Sequence, residues 1–187
     1  FALALLAFGF AAAASAQTAN PRVSIVTNQG EIVVELDAVK APKSTENFVQ
    51  YVKAGQYDGT IFHRVIDNFM IQGGGYTTEL VPKGGLRPPV MNEADNGLSN
   101  MRGTLAMART MDPHSGTSQF FINVADNKAL DHVSKADGRT WGYAVFGKVV
   151  SGMEVVDKIK VMPTSAFSPE FPTLPRPYVV IEKATFA

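Results

Sequence analysis

The chain has 187 residues and is 45% hydrophobic, which is sufficient for one domain with its own core. Its 17 basic and 17 acidic residues cancel, and no basic run is present, so nucleic acid and anionic lipid are not expected partners. Cysteine is absent and the three histidines are scattered, which excludes disulfides and thiolate metal sites and argues against a histidine metal site.

Residues 1–16 have the pattern of a secretory signal peptide. Phe1 to Ala14 carries no charge, and Ala14-Ser15-Ala16 forms a small-x-small cleavage site. The segment has neither an initiating Met nor a basic n-region, and it is too short to span a bilayer comfortably. A buried N-terminal helix is the less favoured alternative. We expect cleavage after Ala16, export, no stable membrane insertion afterwards, a short tail at residues 17–22 and one domain at 23–187.

The first elements of the domain are a predicted hairpin and a predicted helix. Two β-branched runs, Val23–Thr27 and Glu31–Leu36, are separated by a turn that contains Gly30. Apolar and more polar residues alternate along the second run, which predicts a strand with one buried face. Pro42 then stands in the first turn of a predicted helix, where its missing N–H costs little, and Gly55 is expected to end it.

The remainder of the chain is predicted to be mainly strand. Strand-like segments follow in chain order at Thr60–Ile66, Met70–Gly73, Thr104–Ala108, Gln119–Asn123, Tyr143–Val149 and Tyr178–Ala184. A second helix is predicted from Ser151 to about Lys160, because Ser151 and Glu154 match a capping box. Many strands with only two helices favour a closed or nearly closed antiparallel sheet whose open ends are covered by the helices.

Two motifs carry the side chains that could take part in binding or catalysis. The first runs from Phe62 to Gly75 and the second from Ser118 to Asn123, and together they supply an arginine, two glutamines and an apolar cluster. They contain no evident nucleophile and no paired carboxylates, so they favour a reaction that breaks no covalent bond over hydrolysis. The glycines at 73–75 lack the P-loop lysine and the GxGxxG spacing, so a sharp turn or close backbone packing explains them better than a phosphate site.

From about Val23 to Phe186 the chain resembles the cyclophilin-type peptidyl-prolyl cis-trans isomerases, most closely their bacterial periplasmic branch. The resemblance rests on five ordered blocks: Phe62–Ile66, Phe69–Gly74, Gly103–Ala108, Ser118–Ile122 and Val145–Val149. It implies a mainly β fold, with a closed eight-stranded antiparallel β-barrel capped by two α-helices. It also implies a periplasmic monomer that needs no cofactor and acts on unfolded or partly folded polypeptides containing proline.

The chemistry of this reaction can be argued from the amide bond. Rotation about an Xaa-Pro bond meets a barrier of roughly 20 kcal/mol because amide resonance must be lost. Catalysis therefore requires tighter binding of the twisted amide than of either planar isomer. As resonance is lost, the prolyl nitrogen gains a lone pair to which a guanidinium can donate. Arg64 matches the catalytic arginine of the family, and arginine suits this task because its charge and its fork of donors are fixed.

The resemblance also assigns the other site residues. Gln72, a donor to the substrate backbone, and Phe121 join Arg64 as catalytic residues. The substrate-binding positions are Phe69, Met70, Ala108, Arg109, Gln119, Leu130 and Tyr143. Phe69, Met70, Phe121 and Leu130 form an apolar cup for the proline ring, while main-chain groups at Arg109 bind substrate as an added strand. The Arg109 side chain replaces a smaller polar residue, which suggests a preference for acidic or polar flanking residues.

Each assignment has a structural alternative. Phe69, Met70 and Phe121 taken alone would more often be core residues. Arg64 taken alone would more often be a surface salt-bridge residue. His63 invites assignment as a general base, yet the motif offers it no partner, so a structural hydrogen-bonding role is the better interpretation.

The chain departs from the family on one side of the site. Ala129 stands where many eukaryotic members have tryptophan, so we expect weak cyclosporin binding with retained isomerase activity, unless Trp141 folds back into the gap. Residues 132–140 form an apparent insertion before Tyr143, a position that holds histidine in many eukaryotic members. The alternative to an isomerase is a proline-peptide-binding chaperone module with little turnover, which an assay on an Ala-Pro peptide distinguishes.

Overall fold

The computed structural model describes residues 19–187, so the predicted signal peptide at 1–16 lies outside the described residues. The strands are β1 Arg22–Thr27, β2 Gly30–Leu36, β3 Arg64–Ile66, β4 Met70–Gly73, β5 Thr104–Met107, β6 Phe120–Asn123, β7 Val145–Ser151, β8 Thr164–Ser165, β9 Leu174–Pro175 and β10 Ile181–Phe186. The helices are α1 Pro42–Lys53, α2 Gly138–Trp141 and α3 Met153–Lys160, with 3-10 turns at Ala94–Asn96 and Lys128–Leu130. Within residues 19–187, none of the helices is long and apolar enough to cross a bilayer.

Eight strands form one antiparallel sheet in the order β10-β1-β2-β7-β5-β6-β4-β3. The predicted mainly β architecture is confirmed, but the predicted closed barrel is not, because the sheet is a curled half-barrel. Its two outer strands, β3 and β10, are not paired as a ladder. The chain before β3 instead has an isolated bridge between Ile61 and Val180, the residue before β10, and Gly59 N–H donates to the Ile181 carbonyl at 2.8 Å.

The predicted hairpin is confirmed and supplies part of the core. Ile25 pairs with Ile32, and Val23 pairs with Val34. All four side chains are almost fully buried, whereas the alternate residues of β2 are half-buried or exposed. The alternation in the sequence therefore marked the buried face of the sheet correctly.

Helix α1 packs on the sheet through an aromatic cluster. It begins with Pro42 in its first turn, as predicted. The Phe48 ring lies 4.9 Å from Tyr57, 5.4 Å from Phe120 and 5.5 Å from Phe146, measured between ring centroids. Because Phe120 lies on β6 next to a predicted site residue, this cluster fixes the strand that carries the site.

The second long helix begins later than predicted. Ser151 is the last residue of β7, and Gly152 is the N-cap of α3 with φ +86°, so the predicted capping box is wrong. A Cβ at Gly152 would lie 2.2 Å from the Glu31 carbonyl oxygen. Both the positive φ and this close approach require glycine. Val156 and Ile159 are fully buried, whereas Val155 is half-buried.

Candidate active site

Three strands place the predicted catalytic residues in a row. In the register of the sheet Arg64 on β3 lies opposite Gln72 on β4, and Gln72 lies opposite Phe121 on β6. Directly opposed residues share one face of a sheet, so the three side chains lie side by side. This row begins at the outer strand β3, where solvent and substrate can reach it.

A polar chain orients the middle of this row. Arg64 Nη1 donates to Gln72 Oε1 at 3.4 Å, and Gln72 Nε2 donates to Gln119 Oε1 at 2.9 Å. Gln72 therefore presents its oxygen to the guanidinium and its nitrogen to the second glutamine. The chain restricts the Arg64 side chain while leaving most of its donors for other partners.

An apolar cup adjoins the row. Phe121 and Met70 are buried, with 4% and 2% of their surface exposed, and the Phe121 ring centroid lies 5.8 Å from that of Tyr143. A cavity of about 180 Å³ is lined by Arg64, Phe69, Met70, Gln72, Ala108, Arg109, Phe121, Leu130 and Tyr143. These are nine of the ten predicted site residues. The tenth, Gln119, lines an adjoining pocket together with Gln72, Ala108 and Arg109.

The charge of Arg64 is not neutralised in its surroundings. The guanidinium carbon lies 6.0 Å from the centroid of the Phe69 ring. Within the described part of the chain no carboxylate forms a salt bridge with Arg64. The alternative assignment of Arg64 as a surface salt-bridge residue therefore finds no partner among residues 19–187.

The chemistry available in the cavity is limited to hydrogen bonding and apolar contact. Among the described residues that line it there is no serine, threonine, cysteine, histidine or carboxylate. Acyl transfer and glycoside hydrolysis require such groups as nucleophiles or general bases. A cation such as Arg64 beside an apolar cavity can instead stabilise a lone pair or partial negative charge on a bound molecule.

His63, although next to Arg64 in sequence, is a packing residue. Only 4% of it is exposed, and its ring lies 4.7 Å from Tyr76 and 6.0 Å from Phe171. Its Nδ1 has no hydrogen-bond partner among residues 19–187, so the predicted structural hydrogen bond is not formed at that atom. Burial, followed by the charge of Arg64, lowers the pKa of His63 to about 4. The imidazole is therefore neutral near pH 7.

This pKa predicts how stability depends on pH. The histidine has a lower pKa in the folded state, about 4, than its ordinary value of 6.5, so protonation favours the unfolded chain. The stabilisation of the folded state by neutral His63 is complete above pH 6.5 and is lost as the pH falls towards 4. The free energy of unfolding should change by about 3 kcal/mol over this range. Urea unfolding of the wild type and His63→Phe across this range should show a shallower pH dependence in the variant. Parallel curves would contradict the assignment.

The Arg109 side chain has a role that the sequence did not suggest. Its Nε donates to the Gly142 carbonyl at 3.1 Å, and its Nη2 donates to the carbonyls of Gly142 and Gly138, both at 2.8 Å. The guanidinium carbon also lies 4.4 Å from the centroid of the Tyr143 ring. Arg109 thus fixes the insertion and the Tyr143 ring. Nε, Nη1 and Nη2 all donate to main-chain carbonyls, and the preference for acidic or polar flanking residues stays a prediction.

The insertion before Tyr143 folds on itself. It contains the first three residues of helix α2, whose N-cap Asp137 and residue Thr140 form a capping box. The Trp141 ring packs between His114, at 4.9 Å, and His132, at 5.4 Å. Trp141 is not among the residues that line the cavity, so its ring forms no part of the wall of that cavity.

Comparison with known proteins identifies the family to which this fold belongs. The family model described as "Cyclophilin type peptidyl-prolyl cis-trans isomerase/CLD" matches residues 22–185. The chain is 53% identical over 182 residues to peptidyl-prolyl cis-trans isomerase A of Dickeya dadantii, covering 97% of this chain and 91% of that protein. It is 50% identical over 163 residues to peptidyl-prolyl cis-trans isomerase B of Escherichia coli, covering 87% and 98% respectively.

A solved structure shows the same fold. The crystal structure of a cyclophilin type peptidyl-prolyl cis-trans isomerase of Cryptosporidium parvum, determined in the presence of the dipeptide Ala-Pro, has a TM-score of 0.71. It is 27% identical to this chain, and the alignment covers 89% of this chain and 98% of that one. From its sequence, its sheet and these matches, the chain belongs to the cyclophilin-type peptidyl-prolyl cis-trans isomerase family.

Proposed function

We propose that this chain isomerises Xaa-Pro bonds through Arg64, which stabilises the twisted amide beside an apolar cup. One observation carries this assignment of roles. An arginine without a salt bridge in residues 19–187 borders a cavity whose lining contains neither a nucleophile nor a carboxylate. Peptidyl-prolyl isomerisation is the activity of the family, and this chemistry requires no bond to be broken.

The cup is the part of the site that holds one side of the Xaa-Pro bond fixed during rotation. Phe121 and Met70 are buried at its base, and Phe69, Leu130 and Tyr143 border its opening as half-buried side chains. A proline ring seated there would be held while the acyl side of the peptide turns. The cup contacts the ring in planar and twisted states alike, so it supplies binding rather than selective stabilisation of the transition state.

Arg64 provides the selective interaction. The nitrogen of a planar amide has its lone pair in resonance, whereas that of a twisted amide can accept a hydrogen bond. Arg64 Nη1 contacts Gln72 Oε1 at 3.4 Å, and this contact directs the guanidinium along the rim of the cup. The hydrogen bond from Gln72 Nε2 to Gln119 Oε1, at 2.9 Å, holds the Gln72 side chain in place. The positioned donors therefore need little reorganisation during the reaction.

The groove beside the cup can take an extended peptide. Within residues 19–187 neither the amide N–H nor the carbonyl of Arg109 has a hydrogen-bond partner. These groups are available to pair with a substrate strand by β-augmentation. The decisive test is the isomerisation rate of an Ala-Pro peptide with the wild type and Arg64→Ala. An uncatalysed rate in both would leave only the proline-peptide-binding module.

We further propose that the protein acts as a monomer on polypeptides in the periplasm and assists their folding. The support is the uncharged segment from Phe1 to Ala14 with its small-x-small site, and the absence of cysteine, which removes mispairing in an oxidising compartment. Expression in a Gram-negative host, with a Met-Lys start supplied before Phe1, should give a periplasmic product that begins at Gln17. Uncleaved protein in the cytosol would contradict export.

Cyclosporin should bind weakly. Ala129 lies exposed on the 3-10 turn Lys128–Leu130, where its methyl group offers little of the apolar contact area that an aromatic ring provides. Inhibition titrations should therefore give a weak constant for the wild type with isomerase activity retained, and Ala129→Trp should tighten it by about tenfold or more. A nanomolar constant for the unmodified chain would contradict this prediction.

A further inference from the structure

Four polar residues lie behind the cup and take no part in the proposed chemistry. They are Asn100, Asn123, Asn127 and Asp131, which we call the asparagine network. Asn100 and Asn123 are fully buried, with 0% exposure. A buried amide is costly unless it is hydrogen-bonded, so the geometry of these side chains must be satisfied within the protein.

The members of the asparagine network bond to one another. Asn127 Nδ2 donates to Asn123 Oδ1 at 2.8 Å, and Asn123 Nδ2 donates to Asn100 Oδ1 at 3.1 Å. Asp131 Oδ1 accepts from the Asn100 backbone N–H at 2.7 Å and from Asn100 Nδ2 at 3.0 Å. Asn100 and Asn123 are each held at both the oxygen and the nitrogen of the side-chain amide, and Asn127 donates two hydrogen bonds from its nitrogen, so the network has one defined arrangement.

The same network holds the cup from behind through main-chain atoms. Asn127 Nδ2 donates to the Phe69 carbonyl at 2.8 Å, and Asn100 Nδ2 donates to the Tyr143 carbonyl at 3.2 Å. Tyr143 N–H in turn donates to the Leu130 carbonyl at 2.8 Å. Each of the three half-buried residues at the opening of the cup is therefore linked to the asparagine network.

We propose that Asn127 is a positioning residue for the isomerase reaction, acting with Asn100 and Asn123 to fix the three residues at the opening of the cup. This proposal rests on the proposed function, since it assigns the cup to the proline ring. The cup holds the ring in ground and transition states alike. Loosening it should therefore raise KM and leave kcat nearly unchanged, unlike the loss of Arg64.

Two substitutions at position 127 test this proposal. Asn127→Ala removes both donated hydrogen bonds, and Asn127→Asp places a carboxylate against the two oxygens that Asn127 now serves. We expect KM for an Xaa-Pro peptide to rise about fivefold in the alanine variant and more in the aspartate variant, with kcat within about twofold of the wild type. Lys128→Ala is the matched control, since Lys128 is exposed on the adjacent turn, and it should retain both constants.

A folded Asn127→Ala variant with the KM of the wild type would overturn the proposal, as would a fall in kcat alone. If Asn127→Asp does not fold, Asn127→Ala carries the test. Methyl spectra provide a second readout, in which Leu130 should shift and the fully buried Leu105 should not. A wild type without isomerase activity would overturn the proposed function, whereas an active wild type with unchanged KM in the variants would overturn only this inference.

Discussion

Arg64→Ala is expected to lower kcat/KM for Xaa-Pro isomerisation by on the order of 100-fold, equivalent to about 3 kcal/mol of transition-state stabilisation. The guanidinium donates to a lone pair that exists only when the amide is twisted, so the loss should fall on kcat. Arg64→Lys keeps the charge but not the fork of donors, and should recover only part of the rate. A protease-coupled assay measures all of these values.

The thermal midpoint of the Arg64→Ala variant and the activity of a second arginine variant serve as controls for this prediction. Arg64 has no salt bridge among residues 19–187, so its removal should change the thermal midpoint little. Arg87→Ala removes an exposed arginine side chain and should leave kcat/KM unchanged. An Arg64→Ala variant within about threefold of the wild type would contradict the assigned role, since that is less than 1 kcal/mol.

Phe121→Ala should reduce both stability and activity. The side chain is 4% exposed and packs edge-to-face on Tyr143. Its truncation should lower the free energy of unfolding by about 3–5 kcal/mol and kcat/KM by about tenfold or more, because the base of the cup is lost. Urea unfolding and the peptide assay at matched folded fraction measure the two effects.

Phe186→Ala is the matched control for this truncation, since Phe186 is 47% exposed at the end of β10. Its effect on stability should be less than about 1 kcal/mol. Phe121→Leu, which keeps an apolar side chain of intermediate size, should fall between the wild type and Phe121→Ala in both assays. Unaltered activity in a folded Phe121→Ala variant would show that the ring does not form part of the cup.

The elements that the sequence predicted well depend on local patterns. Strand β4 has the bounds expected for it, Met70–Gly73, and the hairpin follows the alternation of its apolar residues. The closure of the sheet depends instead on pairing between β3 and β10, which are far apart in sequence, and local patterns carry little information about it. The predicted start of α3 was wrong for another reason. Ser151 matches a capping box in sequence, but Gly152 ends the strand with a left-handed turn.

The site was predictable in its centre because the family motifs lie on adjacent strands. The register of β3, β4 and β6 then brings Arg64, Gln72 and Phe121 together. The role of the Arg109 side chain could not be derived this way. Its partners are the carbonyls of Gly138, in the insertion, and Gly142, just after it, and no local pattern determines the path of this segment. Asn123 did offer a signal, since an asparagine that ends an apolar strand requires hydrogen-bond partners.

The central claim is that Arg64 acts on the twisted amide rather than on substrate binding. Nuclear magnetic resonance exchange on an Ala-Pro peptide measures both properties in one sample, because line shapes report the isomerisation rate and titration shifts report the dissociation constant. With a catalytic amount of the wild type the two isomers should exchange far faster than without protein. Arg64→Ala should bind the peptide with a dissociation constant within about threefold of the wild type while losing most of this exchange. Equal exchange rates in both proteins, or a loss of binding that accounts for the whole loss of rate, would contradict the claim.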